Sequence, residues 1–166
     1  MRRVHILNGS LEGDILKEIF SNRGSGTMIY ANQHGNIRPM TASDIPEVLR
    51  VMQPFVERGA LMARREEDLL EHCEDFAVYD VDGLVHACGA LYRYPENQGE
   101  IAGIAVDETY TGMGIGKKIV SYLLNRACSL KLDRVFALTT QTGDWFQQLG
   151  FRKAEVGDLP ALRRQR

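Results

Sequence analysis

Three strand-like runs follow one another in the middle of this chain, and they limit its fold more than any other feature. Phe76 and Val78 lead into Asp82-Gly83, a hairpin signal, and a strand follows over Leu84 to Tyr92. Pro95-Glu96-Asn97 turns the chain again, into a strand over Glu100 to Val106. Helical stripes flank this group. Ile45, Val48, Leu49, Met52, Phe55 and Val56 precede it, with a second helix from Arg65 to about Cys73 whose first turn is acidic. Ile115, Ile119, Val120, Leu123, Leu124 and Ala127 follow it as the clearest amphipathic helix of the chain. Beyond lie a buried-type strand from Arg134 to Leu138, a short helix from Gly143 to Leu149 and a last strand opening at Phe151. A doubly wound sheet alternates strand and helix throughout, so three strands in succession imply an antiparallel meander joined to a parallel crossover. The expected class is mixed α+β: a central, largely antiparallel sheet flanked by helices, in the order β-α-α-β-β-β-α-β-α-β.

The beginning of the chain reads differently. Val4-His5-Ile6-Leu7 is strand-like and closes on Asn8-Gly9. Leu11, Ile15, Leu16 and Ile19-Phe20 have helical spacing, Asn22 to Gly26 is a flexible turn, and Met28-Ile29-Tyr30 is a second short apolar run. One strand–helix–strand unit of this size cannot bury a core of its own. Ala31 to Asn36 is a polar linker, which divides the chain into residues 1–35 and 36–166. The second part opens with a short strand over Asn36 to Met40. Thr41 and Asp44 then form a capping-box pattern, and Pro46 sits in the tolerated first turn of the helix.

A chain of 166 residues with 44% apolar and 25% charged residues has room for one well-packed globular domain. Its net charge of -2 and the lack of any basic stripe give no reason to expect nucleic acid, and the positive stretch at 162–166 reads as a solvated end. No export signal and no apolar run of membrane-spanning length are evident. Cys73, Cys88 and Cys128 are widely spaced, as are His5, His34, His72 and His86, so neither a disulfide framework nor a metal site is expected. These features place the chain in the cytoplasm.

The segment from Val106 to Lys117 carries Gly112, Gly114 and Gly116 between a strand and the amphipathic helix. Glycine lets the backbone approach a ligand closely, and N–H groups at a helix N-terminus favour an anion such as a pyrophosphate. The same glycines also suit a plain tight turn. Lys117 is followed by Lys118, so the hydroxyl ending of a P-loop is absent. Asp133 lies near the distance at which a dinucleotide fold places its acidic residue, but the preceding meander does not belong in such a fold.

Val106 through Gly116, followed by Trp145-Phe146-Gln147-Gln148-Leu149-Gly150-Phe151, resembles the paired signature of the GNAT acetyltransferases. The resemblance implies a GNAT fold with acetyl-CoA as co-substrate. Thr111, Gly112, Met113, Gly114, Ile115, Gly116 and Lys117 would cradle the pyrophosphate, and Ile104, Ala105 and Val106 would pair with the pantetheine arm through backbone groups. The family usually carries Arg or Gln at the position of Thr111, a change that backbone pyrophosphate binding survives.

A narrower resemblance spans Ile37 to about Pro160. Gly59 to Arg64, Ala90-Leu91-Tyr92, Gly99-Glu100-Ile101-Ala102 and Leu138-Thr139-Thr140 are similar to the bacterial N-acetylglutamate synthases. Val4 to Leu7 and Gly26 to Ile29 resemble the end of the amino-acid-kinase domain that precedes the acetyltransferase domain in that family. The implied reaction is acetyl transfer from acetyl-CoA to the α-amino group of L-glutamate, the opening step of arginine synthesis. Glu100 is implied as general base, Thr139 as the hydroxyl that orients or protonates the thiolate, and Arg64 with Arg163 or Arg164 as carboxylate-binding forks. Many GNAT enzymes use a tyrosine acid where this chain has Phe146, and a phenyl ring cannot donate a proton. The partners are small molecules, and oligomer formation is left open. Two other readings stand beside this one: a GNAT enzyme for a different small amine, and a non-catalytic domain that binds acetyl-CoA or packs on a partner.

Overall fold

The computed structural model describes residues 3–20, 27–30 and 35–164 and divides the chain between residues 34 and 35 into two compact units. In the first, β1 (Arg3–Ile6) pairs antiparallel with β2 (Thr27–Tyr30), Arg3 opposite Tyr30 and Ile6 opposite Thr27, with α1 (Asp14–Phe20) between them in sequence. Asp14 is buried and accepts a hydrogen bond from the Asn8 amide at 3.1 Å, which ties the strand exit to the helix start. Leu11, just before the helix, and Ile15 and Leu16, in its first turn, are exposed. The expected turn over 22–26 and linker over 31–34 lie outside the described residues.

The second unit is a five-stranded sheet in the order β3-β4-β5-β6-β7. β3 (Asn36–Pro39), β4 (Phe76–Val81), β5 (Leu84–Tyr94) and β6 (Gln98–Val106) form an antiparallel meander, and β7 (Arg134–Phe136) adds parallel to β6. The β4–β5 hairpin turns at Asp82 and Gly83, both with positive φ, as a two-residue turn that follows strand twist requires. Glu96 and Asn97 also take positive φ in the next turn. This turn is tighter than the sequence pattern suggests, so β5 runs on to Tyr94 and β6 begins at Gln98.

Both faces of the sheet are covered, and the strands read accordingly as near-continuous apolar runs. On one face α2 (Ile45–Glu57) and α3 (Glu66–Glu71) bury Val48, Val51, Met52 and Leu69 against Phe76, Val78, Cys88 and Ala90. On the other, α4 (Ile115–Ser129) and α5 (Gly143–Gln148) bury Ile119, Leu123 and Phe146 against Tyr79, Leu91 and Ile101.

Two expectations change at the far end. β7 stops at Phe136, two residues early, and no strand follows α5 among the described residues. After Phe151 the chain reads Arg152, Lys153, Ala154, Glu155, all exposed, and so offers no second large apolar side chain to fix a strand against the sheet. A four-residue helix, α6 (Ala161–Arg164), follows instead.

The start of α2 is fixed by a buried carboxylate. Asp44 accepts from the Thr41 amide at 2.8 Å, from the Thr41 hydroxyl at 2.7 Å and from both terminal nitrogens of Arg38 at 2.7 and 2.8 Å. Arg38 reaches on to Asp80 at 3.0 Å, so one guanidinium joins β3, β4 and the helix entry. The Arg38 hydrogen bonds hold the Asp44 carboxyl well below the usual carboxylate range, against the opposing effect of burial. The unfolded chain therefore takes up the proton at higher pH than the folded one. The contribution is complete above about pH 4 and fades as pH falls below it. Asp44→Asn should cost about 1–3 kcal/mol at pH 7. Denaturant melts at pH 7 and pH 3 should show the gap to the native protein narrowing at the lower pH.

Candidate active site

β6 has a pairing partner on its β7 side over only Gln98, Gly99 and Glu100, which face Arg134, Val135 and Phe136. Among the described residues no strand pairs with that edge from Ile101 to Val106. The two parallel strands part there, and six residues of backbone, about 20 Å, line the opening. On the β5 side the ladder slips: Ala90 faces Ala102 and Cys88 faces Ala105, so Gly103 and Ile104 together oppose Gly89. This bulge, with Gly103 at φ 63°, reverses the alternation of side chains along β6. Glu100 lies on the face of Tyr92, its cross-strand partner, whereas Ile104 and Val106 pack with the α4 side. The sequence pattern of an uninterrupted strand would place Ile104 on the face of Glu100.

At the end of β6 the chain passes through Asp107 and the single turn Glu108–Tyr110 into the glycine segment. Asp107 is anchored from several sides. Its amide donates to His86 O at 2.7 Å, and its carboxylate accepts from the Thr109 hydroxyl at 2.8 Å and from Arg50 at 3.0 Å. Arg50, on α2, also donates to Val85 O at 2.9 Å. Gly112 (φ 81°) and Gly114 (φ 71°) are left-handed, and Gly114 is the N-cap of α4. A Cβ on either would meet open space, so glycine is required there by conformation and not by crowding. Gly116 differs, since a Cβ there would sit 3.3 Å from the Trp145 ring and interfere with the packing of α5 on α4. Helix geometry leaves the N–H groups of Ile115, Gly116 and Lys117 without carbonyl partners, and Lys118 N is the first to bond, to Gly114 O at 3.1 Å. Thr111, Met113 and Lys117 are exposed, while the Ile115 side chain is buried in the core and can contribute only backbone.

A second cluster forms on the α2–α3 face of β5 and β6. Glu100 is only 4% exposed. Its Oε2 accepts from the Tyr94 hydroxyl at 2.8 Å and from Arg163 Nε at 2.9 Å, and its Oε1 lies 3.3 Å from Arg163 Nη2. Arg64 donates to the Tyr92 hydroxyl and lies over the rings of Phe76 (5.5 Å) and Tyr92 (5.3 Å). Its Nε is buried and has no hydrogen-bond partner among the described residues. Burial pushes the Tyr92 hydroxyl up to about 12, with Arg64 opposing the shift, so Tyr92 stays protonated at neutral pH.

The remaining residues singled out from the sequence lie elsewhere. Thr139 follows the end of β7 in an exposed loop. Its oxygen accepts from the Thr142 amide at 2.9 Å and from the Gln141 amide at 3.3 Å, and lies 2.7 Å from the Thr142 hydroxyl. Those bonds make it the organiser of the turn into α5. Arg164 is exposed and does not join Arg163 at Glu100. Phe146 is buried beneath Trp145 and Phe151.

Residues 43–151 match the acetyltransferase (GNAT) family. The chain belongs to that family. It is 36% identical to the amino-acid acetyltransferase of Neisseria meningitidis serogroup A, over 99% of this chain and 38% of that protein. Among solved structures, it is similar to N-acetylglutamate synthase from Neisseria gonorrhoeae complexed with coenzyme A and N-acetyl-glutamate, with a TM-score of 0.78 and 36% identity, over 99% of this chain and 39% of the other. A Mycobacterium tuberculosis protein in complex with CoA is 34% identical with a TM-score of 0.70, over 76% of this chain and 77% of that one. The chain thus spans about two-fifths of the length of the first relatives it matches and about three-quarters of the third.

Within this GNAT domain the sequence pattern does not reveal Tyr94 or the Arg50–Asp107 bridge. Tyr94 lies two residues beyond the expected end of its strand, and only the longer hairpin puts it beside Glu100. Arg50 reads as a solvated helix residue until the fold brings it to the strand end 57 positions away. The glycine turn is open to a direct test of conformation. Gly114→Val forces a β-branched residue into the left-handed region and should cost about 1–2 kcal/mol in chemical denaturation, with the circular dichroism spectrum of the fold retained.

Proposed function

We propose that this GNAT domain transfers the acetyl group of acetyl-CoA to the α-amino group of L-glutamate, releasing N-acetylglutamate and CoA. The observation that carries the reading is the parting of β6 from β7 between two chemically distinct ends. At one end, unpartnered N–H groups at the start of α4 suit a pyrophosphate. At the other, about 20 Å back along β6, a buried carboxylate stands among arginines. An extended pantetheine arm laid along the free edge at Ile104, Ala105 and Val106 joins the two. The names of the relatives, amino-acid acetyltransferase and N-acetylglutamate synthase, support glutamate as acceptor.

The acceptor arrives as an ammonium and has to lose a proton before its nitrogen can attack. Glu100 takes that proton, directly or through one water. The nitrogen lone pair attacks the thioester carbonyl carbon, and backbone N–H groups near Ala105 hold the developing oxyanion. Collapse re-forms the carbonyl and expels the CoA thiolate, which is protonated to the thiol. Phe146 cannot supply that proton, and Thr139 is the hydroxyl we assign to orienting or protonating the sulfur. Arg64 and Arg163 suit the two carboxylates of the acceptor as planar forks, with Arg164 on the exposed side of the same short helix.

Residues 1–35 we assign to the end of an amino-acid-kinase domain that precedes the acetyltransferase domain, a reading supported by relatives that align along this segment and extend well beyond it. The free state of Cys73, Cys88 and Cys128 supports a cytoplasmic setting.

Thiol release with acetyl-CoA and a panel of amino acids tests the acceptor, and L-glutamate should give the highest kcat/KM. A higher value for another amine would reassign it. Glu100→Gln keeps size and shape while removing the proton acceptor, and should lower kcat by about 10²–10⁴-fold with a much smaller change in KM. Near-normal turnover in that variant would remove Glu100 from the mechanism.

A further inference from the structure

Glu100 meets the description of a general base in every respect but one: its proton-accepting oxygens are occupied. Arg163 Nε lies 2.9 Å from Oε2, Arg163 Nη2 lies 3.3 Å from Oε1, and the Tyr94 hydroxyl donates to Oε2 at 2.8 Å. The Arg163 side chain is itself three-quarters buried, 25% exposed against 6% for Glu100. An ammonium entering this site would meet a carboxylate already neutralised by a fork of the same charge sign as itself.

Arg163 stands on α6, an element with little else to hold it. The helix is four residues long, its backbone bonds run back to Pro160, Leu162 is 56% exposed and Arg164 is exposed as well. Pro160 is buried and fixes the base of this segment, so α6 can shift about that point at small cost in packing. Removing a guanidinium from a buried carboxylate with nothing in return is expensive, because both charges are then left unpaired. Exchanging one carboxylate partner for another keeps the arginine paired, and the ammonium of the acceptor then takes its place at Glu100, so the penalty is offset on both sides.

We propose that Arg163 is a carboxylate-exchange latch, which pairs with Glu100 in the empty site and transfers to a carboxylate of the acceptor, freeing Glu100 to take the amine proton. Acceptor selection then operates on the step that releases the base, beyond binding alone. An amine without a carboxylate leaves the latch closed, and so does water, which keeps acetyl-CoA from being hydrolysed before an acceptor arrives. Tyr94 remains on Oε2 through the exchange and orients the freed carboxylate as a positioning residue. The inference rests on the acetyl-transfer reading above for the role of Glu100, but the exchange itself can be measured without turnover.

Glutarate, a dicarboxylate with no amine, serves as the probe in calorimetry with the full chain. If Arg163 has to leave Glu100 to meet the ligand, Glu100→Gln removes the competing partner and should tighten glutarate binding by about ten- to a hundredfold, while Arg163→Gln should weaken it by a similar factor, the scale of one charge-assisted hydrogen bond. Unchanged affinity in either variant overturns the exchange. Should Glu100→Gln fail to fold in a thermal melt, Arg163→Gln decides by a second readout, thiol release from acetyl-CoA with no acceptor present. An open latch should raise that rate by about tenfold or more, and no rise overturns the proposal. A native protein that binds glutarate with these shifts and yet releases no thiol with L-glutamate would overturn the acceptor assignment and leave the exchange standing.

Discussion

Two parallel strands that share hydrogen bonds along their whole length leave no backbone for a ligand, and everything distinctive in this domain follows from the early parting of β6 and β7. The separation is fixed by what lies on either side of it. The bulge at Gly103 and Ile104 bends β6 while the β5 ladder continues past it to Val106. The crossover helix α4 buries Ile115, Ile119, Val120 and Leu123 under the same strands, and Leu132 and Val135 pack against that cluster from the β7 side. Each wall is therefore anchored in the core by its own contacts. The opening does not depend on a ligand to hold it apart. Arg50 adds a tie from the opposite face, linking α2 to Asp107 at the point where β6 hands over to the glycine turn.

How far the sequence discloses this arrangement depends on the range of the interactions involved. The meander, the Thr41–Asp44 capping box at the entry to α2 and the glycine turn rest on neighbours within a few residues, and periodicity and turn chemistry make all three legible. So does the strand–helix–strand start, where Asp14 closes the loop locally through the Asn8 amide. The absence of a strand after Phe151 is a different case. One aromatic residue at a helix exit resembles a strand start, and only the exposure of Arg152 to Glu155 shows that no sheet edge receives it. The bulge on β6 leaves no mark that a lone glycine in a strand would not also leave, so the face of Ile104 could not be read from alternation. Contacts between distant positions, such as Arg50 with Asp107 and Arg163 with Glu100, have no sequence signal short of the fold itself.

The candidate site shows the same division. The half we propose for anion binding is built from backbone at a helix start, and its residues are contiguous. The half we propose for acid–base chemistry is assembled from four separate segments: Arg64 before α3, Tyr92 and Tyr94 on β5, Glu100 on β6, and Arg163 on α6. Family resemblance singles out Glu100 and the arginines individually, but it does not say that one arginine sits on the carboxylate while the other stacks on aromatic rings. Thr139 marks the limit of that transfer. Its hydroxyl accepts the amides that open α5, so any part it takes at a sulfur has to be compatible with keeping that turn.

Buried charge is a poor device for stability, and that bears on why these groups are here. An ion pair withdrawn from water recovers in mutual attraction roughly what it lost in hydration, and apolar residues of the same shape commonly serve a fold as well or better. Nothing in the packing of β6 requires a carboxylate at position 100, since Ile101 and Ala105 further along the same strand show what the core accepts. Arg64 makes the point more sharply. Its ring contacts and one hydrogen bond leave Nε buried without a partner among the described residues, a cost that a neutral side chain of similar length would avoid. Asp44 is the instructive contrast, since its four hydrogen bonds to Thr41 and Arg38 join the entry of α2 to β3, and Arg38 carries the link on to Asp80 of β4. A charge satisfied on all sides belongs to the architecture. Charges on the proposed working face that either keep an unpaired donor among the described residues, as at Arg64, or are satisfied from a four-residue helix, as at Glu100, are retained at the expense of stability, and an anionic ligand is the partner that would relieve the arginine side of both.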